Sequence, residues 1–154
     1  MTKEEFGDFE LRLDWRISSG GNSGIMYRVT ENGEASFSSG VECQVLDNAR
    51  HPDGKNPVTS AGSAYAMLAP SQDVVNPAGI WNSVRIIARG SKVEHWLNGV
   101  KVVSYDTSSP QWQALYKASK FAGMPNYAKP KLGHIVLQDH GDLVAYRNIR
   151  IRKL

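Results

Sequence analysis

Residues 9–17 of the 154-residue chain read Phe9-Glu10-Leu11-Arg12-Leu13-Asp14-Trp15-Arg16-Ile17, and their pattern is the clearest indication of the fold class. Its apolar residues alternate with charged residues throughout, which is the period of a β-strand with one buried face. Similar alternation returns in the stretches 25–30, 41–45, 81–105 and 133–151. Repeated short strands separated by long polar loops predict an all-β, two-sheet sandwich.

One segment has the features of a helix. Ser109 can cap its first turn, Pro110 suits the first helical position, and Trp112 and Leu115 follow at helical spacing. We therefore predict one short helix near 109–118.

Three of the strands are predicted between residues 81 and 105. Asn98-Gly99 separates the last two and is a strong hairpin signal, while Gly90 marks the turn between the first two. A further short strand is predicted at 65–68, after a long loop at 48–61 that is rich in Asn, Pro, Gly and Ser. Residues 31–34 are predicted to form a shorter loop.

The composition is that of one globular domain covering residues 1–154, with 41% hydrophobic and 21% charged residues. The net charge is +3, but basic and acidic residues are interspersed, apart from a basic cluster at Arg147, Arg150, Arg152 and Lys153. We therefore predict no nucleic-acid partner. No apolar run approaches the roughly 20 residues that span a bilayer, so we predict no membrane partner. The N-terminus has no signal-peptide pattern, and the location stays unknown.

Polar residues alternate with core positions along the predicted strands. If Val41, Cys43 and Val45 face the core, Glu42 and Gln44 stand side by side on the outer face of the same strand. The buried environment expected for Cys43 suits a small core side chain better than a nucleophile.

The same alternation turns Arg28 and Gln138 to the outer face of their strands, and His140 follows at a strand end. If these strands are neighbours, the three side chains meet Glu42 and Gln44 on one surface. A guanidinium, two amides, a carboxylate and an imidazole are groups that bind a polyhydroxylated ligand. The sequence therefore predicts a groove for a carbohydrate.

Each of these residues also has a purely structural interpretation. Arg28 and Glu42 could form a cross-strand ion pair of little energetic value. Asp139, His140 and Asp142 could ligate a metal, but their spacing is common in turns, and we predict no metal and no cofactor.

Other candidates are left open between a structural role and a role in binding. Trp96 could fill the core or stack on a sugar ring, and His95 is expected in the core. Asp47 and Arg147 are further candidates for contacts with a sugar.

Several pieces of the sequence together resemble one family, the 3-keto-disaccharide hydrolases, formerly described as a domain of unknown function. The pieces occur in order along nearly the whole chain. They are DFEL at 8–11, NSGIMYR at 22–28, GVECQVLDN at 40–48, PAGIWN at 77–82, HWLNG at 95–99, SKF at 119–121, GHIVLQDHG at 133–141 and YRNI at 146–149.

The resemblance implies a concanavalin A-like jelly roll and chemistry on sugars whose C3 hydroxyl is oxidised to a ketone. Such a ketone acidifies the C2 hydrogen, so a base can remove it, the C1 substituent can leave by elimination, and water can then add. For this chemistry we predict Glu42 and His140 as the proton-transferring groups. Arg28, Gln44 and Gln138 are the candidates for holding the oxyanion.

Two main classes of function remain: an enzyme that cleaves 3-keto-glycosides or related sugars, and a non-catalytic carbohydrate-binding module of the same fold. A structural accessory domain is a third. Members of the family usually begin earlier than this chain, and many look exported. We therefore expect that an N-terminal segment is missing and that strand 9–17 lies at an exposed sheet edge. Such an edge must be paired or shielded, so we predict either a homodimer formed through this strand or a compensating edge within the chain.

Overall fold

The structure is a computed structural model that describes residues 1–31 and 35–154, so part of the loop predicted at 31–34 lies outside the described residues. The described residues form eight strands and one α-helix. These elements are β1 (Phe9–Ile17), β2 (Asn22–Val29), β3 (Val41–Leu46), β4 (Asn82–Arg89), β5 (Lys92–Leu97), β6 (Val100–Asp106), α1 (Pro110–Ala118), β7 (His134–Leu137) and β8 (Val144–Lys153).

The strands form two antiparallel sheets, which confirms the predicted two-sheet sandwich. The larger sheet has the order β6-β5-β4-β1-β8, and the smaller has the order β3-β2-β7. The apolar residues of β1 point between the sheets and are almost completely buried; Leu11 and Trp15 are each 1% exposed. They belong to one core with Ile25, Cys43 and Val45 of the smaller sheet.

The position of β1 corrects the prediction of an exposed N-terminal edge strand. β1 pairs with β4 along one side, from Phe9 to Trp15, and with β8 along the other, from Phe9 to Ile17. The backbone groups of β1 are therefore hydrogen-bonded on both sides. The C-terminal strand β8 pairs with the side of β1 that was expected to be free. A homodimer formed through β1 has no free strand edge to use.

Helix α1 has the predicted start. The Ser109 hydroxyl accepts a hydrogen bond from the Trp112 backbone N–H, and Pro110 occupies the first turn. The Trp112 ring is buried and stacks on Tyr105 at 4.4 Å and against Tyr127 at 6.5 Å between ring centroids. In the described part of the chain, no helix has the length and apolar character needed to cross a membrane.

The predicted hairpin is confirmed, whereas the short strand predicted at 65–68 is wrong. Asn98 and Gly99 both have positive φ, 49° and 84°, as the tight turn between β5 and β6 requires. Residues 64–68 instead form a turn, closed by the Ala64 N–H donating to the Leu68 carbonyl. This turn packs on β3 through a bond from the Tyr65 N–H to the Glu42 carbonyl.

Candidate active site

A cavity of about 250 Å³ lies on the outer face of the three-stranded sheet. Four of the residues predicted from the sequence line it together: Glu42, Gln44, Gln138 and His140. The other lining residues are Asn22, Phe37, Tyr65, Lys120, Phe121 and Met124. The cavity therefore combines a carboxylate, amides and a cation with aromatic rings.

Glu42 lies against the backbone of the neighbouring strand because Gly24 leaves room for it. Its side chain is directed over β2, and a Cβ atom built on Gly24 would lie only 1.9 Å from its Oε1 atom. The residue is 8% exposed. The glycine thus determines where the carboxyl group sits, and any larger residue at position 24 would displace it.

The pKa of Glu42 is raised from 4.5 to about 7. Burial is the main cause, because a desolvated carboxylate is disfavoured relative to its neutral form. The Lys120 ammonium opposes this effect, and the negative charge of Asp53 adds to it. A carboxyl group with this pKa can both accept and return a proton near neutral pH.

Two glutamines contribute amide groups to the cavity. Gln44 is 1% exposed, and its Nε2 atom donates to the Thr59 carbonyl at 3.3 Å. The Oε1 atom of Gln138 is buried and has no hydrogen-bond partner within residues 1–31 and 35–154. An unpaired buried acceptor is costly, so this oxygen is suited to accept a hydrogen bond from a ligand hydroxyl.

Lys120 and three aromatic rings also line the cavity. The Lys120 Nζ atom lies 4.3 Å from the centroid of the Tyr65 ring and 5.3 Å from that of Phe121. Phe121 stacks on the buried Tyr127 at 4.0 Å, which fixes its position, and Phe37 is 42% exposed. Exposed aromatic faces beside polar groups are typical of sites that bind a ring with one apolar face.

Sequence reasoning did not select Lys120, Tyr65 or Phe37 for a function. Lys120 follows α1 and lies far from Glu42 along the chain, so strand alternation carries no information about their proximity. One signal was available, since residues 119–121 are among the pieces that resemble the family.

Arg28 is not beside Glu42, which corrects its predicted position. The residue paired with Glu42 is Met26, and a bulge in the β2–β7 pairing follows between Met26 and Val29. Within this bulge Arg28 has a φ of 54°, and its guanidinium donates to the carbonyls of Gly7 and Gly90. A bulge interrupts the alternation of side chains, so the prediction from strict alternation fails here.

Three other predicted contacts with a sugar also lie away from this cavity. Asp47 is buried and accepts hydrogen bonds from the backbone N–H groups of Gly20 and Ala49, so it closes a turn. Trp96 lies on the outer face of the five-stranded sheet, where its Nε1 atom donates to Glu94 at 2.9 Å.

Arg147 is on the same outer face as Trp96. Its guanidinium lies 3.9 Å from the centroid of the Trp81 ring, and its Nε atom donates to Asp14 at 3.2 Å. Alternation does not tell which of the two sheets a strand joins, and for this reason it could not exclude Trp96 and Arg147 from the cavity.

Two residues expected in the core are buried there. Cys43 is fully buried, and burial raises the pKa of its thiol, which opposes a nucleophilic role. His95 is also fully buried, with its ring nitrogens within hydrogen-bond distance of the Tyr27 hydroxyl and the Gly62 carbonyl. In the part of the chain that the structure describes, no three His, Cys, Asp or Glu residues are grouped so as to hold a metal ion.

Comparison with known proteins gives the family of the chain. Residues 1–152 match the 3-keto-alpha-glucoside-1,2-lyase-like domain. The chain belongs to this family. A curated protein from Bacteroides thetaiotaomicron, a 3-keto-disaccharide hydrolase, is 36% identical over 97% of the chain. The chain spans 60% of the length of that relative.

Solved structures agree with the assignment to the lyase-like family. A crystal structure of a candidate glycosyl hydrolase from Parabacteroides distasonis ATCC 8503 has a TM-score of 0.94 at 33% identity, covering 99% of this chain and 75% of that one. A carbohydrate binding module from Bacillus subtilis has a TM-score of 0.61, covering 98% of this chain and 78% of that one. At 12% identity this second resemblance concerns the fold alone. Together they confirm the jelly-roll sandwich.

Proposed function

We propose that this domain cleaves the glycosidic bond of a 3-keto-glycoside, with Glu42 as the proton-transferring group. The observation that carries the proposal is the position of Glu42, whose nearly buried carboxyl group lies over Gly24 inside a cavity lined by amides, a lysine and aromatic rings. The relative from B. thetaiotaomicron is named for the corresponding activity.

Glu42 removes the proton from C2 of the keto-sugar. The electron pair of the C–H bond forms the C2–C3 double bond of an enolate, and negative charge moves to the C3 oxygen. A pKa of about 7 makes a sufficient fraction of Glu42 ionised at neutral pH while keeping it a stronger base than an ordinary carboxylate.

Lys120 is the residue suited to stabilise the developing oxyanion. Its ammonium group lines the cavity, and the amide groups of Gln44 and Gln138 provide further hydrogen bonds. This role replaces the one predicted for Arg28, whose guanidinium is bound to backbone carbonyls elsewhere.

The enolate then expels the C1 substituent, forming a double bond between C1 and C2. The departing oxygen takes a proton, for which the exposed His140 at the edge of the cavity is the candidate donor. Water then adds its oxygen to C1 and gives one proton to His140, which replaces the proton lost to the departing group. The proton held by Glu42 returns to C2, so both residues are restored and the net reaction is hydrolysis of the glycosidic bond.

The test is to incubate the domain with a 3-keto-disaccharide and, separately, with the parent disaccharide. We expect free monosaccharide from the keto-sugar alone, because the unoxidised sugar has no acidic C2 hydrogen. Glu42→Gln should lower turnover by roughly 10²–10⁴, while Glu94→Gln, the same chemical change on the other sheet, should leave it unchanged. Turnover of Glu42→Gln equal to that of the wild type would remove Glu42 from the mechanism.

A non-catalytic carbohydrate-binding module is the second candidate, and it is favoured by the exposed Phe37 ring and the unpaired Gln138 oxygen at the cavity. In that case the domain would bind the keto-sugar without releasing monosaccharide. Glu42→Gln would then change the affinity for the keto-sugar, and neither protein would release monosaccharide.

A further inference from the structure

The outer face of the five-stranded sheet carries a line of cationic side chains that the proposed cleavage does not use. Arg12 on β1 is paired with Arg85 on β4 and with Arg150 on β8. The line continues across the sheet, because Arg85 is paired with Trp96 and Trp96 with Lys101. We call Arg85, Arg12 and Arg150 the arginine row.

The arginine row is an unfavourable arrangement for the isolated domain. Neighbouring strands are about 4.8 Å apart, and like charges directly opposite each other destabilise a sheet. Glu10 relieves part of the repulsion: its carboxylate is 2.6 Å from Arg12 and 2.7 Å from Arg85. It also contacts Arg152 at 2.5 Å. One carboxylate cannot neutralise three guanidinium groups, so an excess of positive charge remains.

Other carboxylates on this face do not remove the excess. Asp14 is engaged with Arg147 at 3.2 Å, and Glu94 is engaged with Lys101 at the same distance. Arg150 is exposed and has no carboxylate oxygen within 4.0 Å in residues 1–31 and 35–154. Its guanidinium is therefore available to a ligand.

A groove of about 500 Å³ follows the arginine row. Ser83 and Asn148 add hydrogen-bonding groups along it, and Trp96 adds an aromatic ring at one side. The Arg85 guanidinium lies 5.5 Å from the centroid of the Trp96 ring, which helps to orient it across the groove.

We propose that the arginine row binds an anionic polysaccharide, in which carboxylate or sulfate groups repeat along a chain of sugars. Guanidinium groups bind such oxyanions in a bidentate manner, and their spacing of about 4.8 Å is close to the repeat of sugar units along a polymer. The bound polymer supplies the negative charge that the sheet lacks. It would hold the domain while the cavity on the other sheet remains open.

A polysaccharide fits this surface better than a nucleic acid does. Duplex DNA carries about one negative charge per 1.7 Å, whereas an acidic polysaccharide carries about one per sugar. Glu10, Asp14 and Glu94 lie beside the cationic side chains and would repel a dense row of phosphates. A sparsely charged chain can place its anionic groups on the arginines and its hydroxyl groups near the carboxylates.

Binding is measured by titrating the domain at low salt with polygalacturonate, which supplies carboxylates, with dextran sulfate, which supplies sulfates, and with neutral dextran. We expect binding of polygalacturonate, of dextran sulfate or of both, no binding of dextran, and weakening as salt screens the charges. The polymer that binds identifies the anionic group.

The variant Arg12→Gln/Arg150→Gln should bind at least about tenfold more weakly, which corresponds to the loss of charge-assisted contacts. Arg50→Gln, an exposed arginine in the loop after β3, is the matched control and should bind normally. If the double variant does not fold, Arg150→Gln alone is used for the binding measurement. Arg150 forms no ion pair with the described carboxylates, so this single substitution leaves the existing ion pairs of the sheet unchanged.

Three results would overturn the proposal: unchanged binding by a folded row variant, an equal loss in Arg50→Gln, or tighter binding of a DNA duplex than of either polysaccharide. The row variants should cleave keto-sugar like the wild type. Polymer binding and cleavage are separate measurements, so failure of one proposal leaves the other intact.

Discussion

At the scale of single residues, Glu42 is controlled by two neighbours with opposite effects. Lys120 favours its ionised form, whereas burial and Asp53 favour its neutral form. A general base must be ionised to act, so activity should rise with pH through the pKa of Glu42, about 7.

We expect substitutions at the two neighbours to move this midpoint in opposite directions. Lys120→Gln removes the cation, raises the pKa of Glu42 and moves the midpoint of kcat/KM to higher pH. Asp53→Asn removes a negative charge, lowers the pKa and moves the midpoint to lower pH. The pH–rate profiles of the two variants test this, and shifts of the same sign would contradict the assignment of Glu42 as the base.

The raised pKa of Glu42 also predicts how stability depends on pH. The pKa of Glu42 is about 7 in the folded protein and 4.5 in the unfolded chain. Between these two pH values the folded protein keeps a proton that the unfolded chain releases. Glu42 therefore lowers the free energy of unfolding progressively as pH rises through this interval. Above pH 7 the free energy of unfolding is lower by about 3 kcal/mol because of this group. Glu42→Gln should therefore unfold at a higher temperature than the wild type at pH 8 and at a similar one at pH 4.

Glu94→Gln is the control for this stability measurement. The hydrogen bond from Trp96 and the nearby Lys101 lower the pKa of Glu94, so its contribution to stability is present at high pH and fades on acidification. At pH 8 Glu94→Gln should therefore unfold at a lower temperature than the wild type, whereas Glu42→Gln should unfold at a higher one. Destabilisation of Glu42→Gln at pH 8 would contradict the prediction.

Gly24 is expected to be the residue that positions Glu42. Gly24→Ala introduces a methyl group where the Glu42 carboxylate lies, which should displace it, reduce turnover and cost about 1–3 kcal/mol of stability. Gly123→Ala is the control, because a Cβ at that position has no atom within 4 Å. Turnover and thermal unfolding of both variants provide the measurement; an active Gly24→Ala protein would contradict this role.

At the scale of elements, α1 links the core to the cavity. The helix is short, so it depends on its cap and on the stacking of Trp112 with Tyr105 and Tyr127. Tyr127 in turn stacks on Phe121, which lines the cavity. A substitution at the start of the helix can therefore change the position of Phe121 in the candidate active site.

Ser109→Ala should lower the free energy of unfolding by about 1 kcal/mol, because the Trp112 N–H loses its acceptor. Ser109→Thr keeps a hydroxyl group and should retain most of the stability. Chemical denaturation of both variants measures the difference. Equal stability of the alanine and threonine variants would mean that the cap contributes nothing.

At the scale of the whole molecule, β1 is an interior strand of the larger sheet. It is paired on both sides and its inward residues are buried, whereas β6 and β8 form the edges of the same sheet. We expect its amide hydrogens to exchange more slowly than those of the edge strand β8, close to the rate set by global unfolding. Hydrogen exchange measured by mass spectrometry tests this. Exchange of β1 as fast as that of β8 would contradict the topology.

Sequence patterns predicted most of the local structure of this protein, except at residues 65–68 and at the bulge that contains Arg28. Period-two alternation identified β1, the Asn98-Gly99 pair identified a hairpin, and Ser109-Pro110 identified the start of α1. These features depend on backbone preferences and on burial of one face, which are properties of neighbouring residues. The grouping of Glu42 with Gln44 followed from the same alternation.

The identity of neighbouring strands became known from the three-dimensional structure. It paired β8 with β1, which removed the expected free edge, and the bulge after Met26 turned Arg28 away from Glu42. It also brought Lys120 to the cavity and aligned Arg85, Arg12 and Arg150 across three strands. Strand order and register result from contacts between distant parts of the chain, and a periodic pattern within one strand does not encode them.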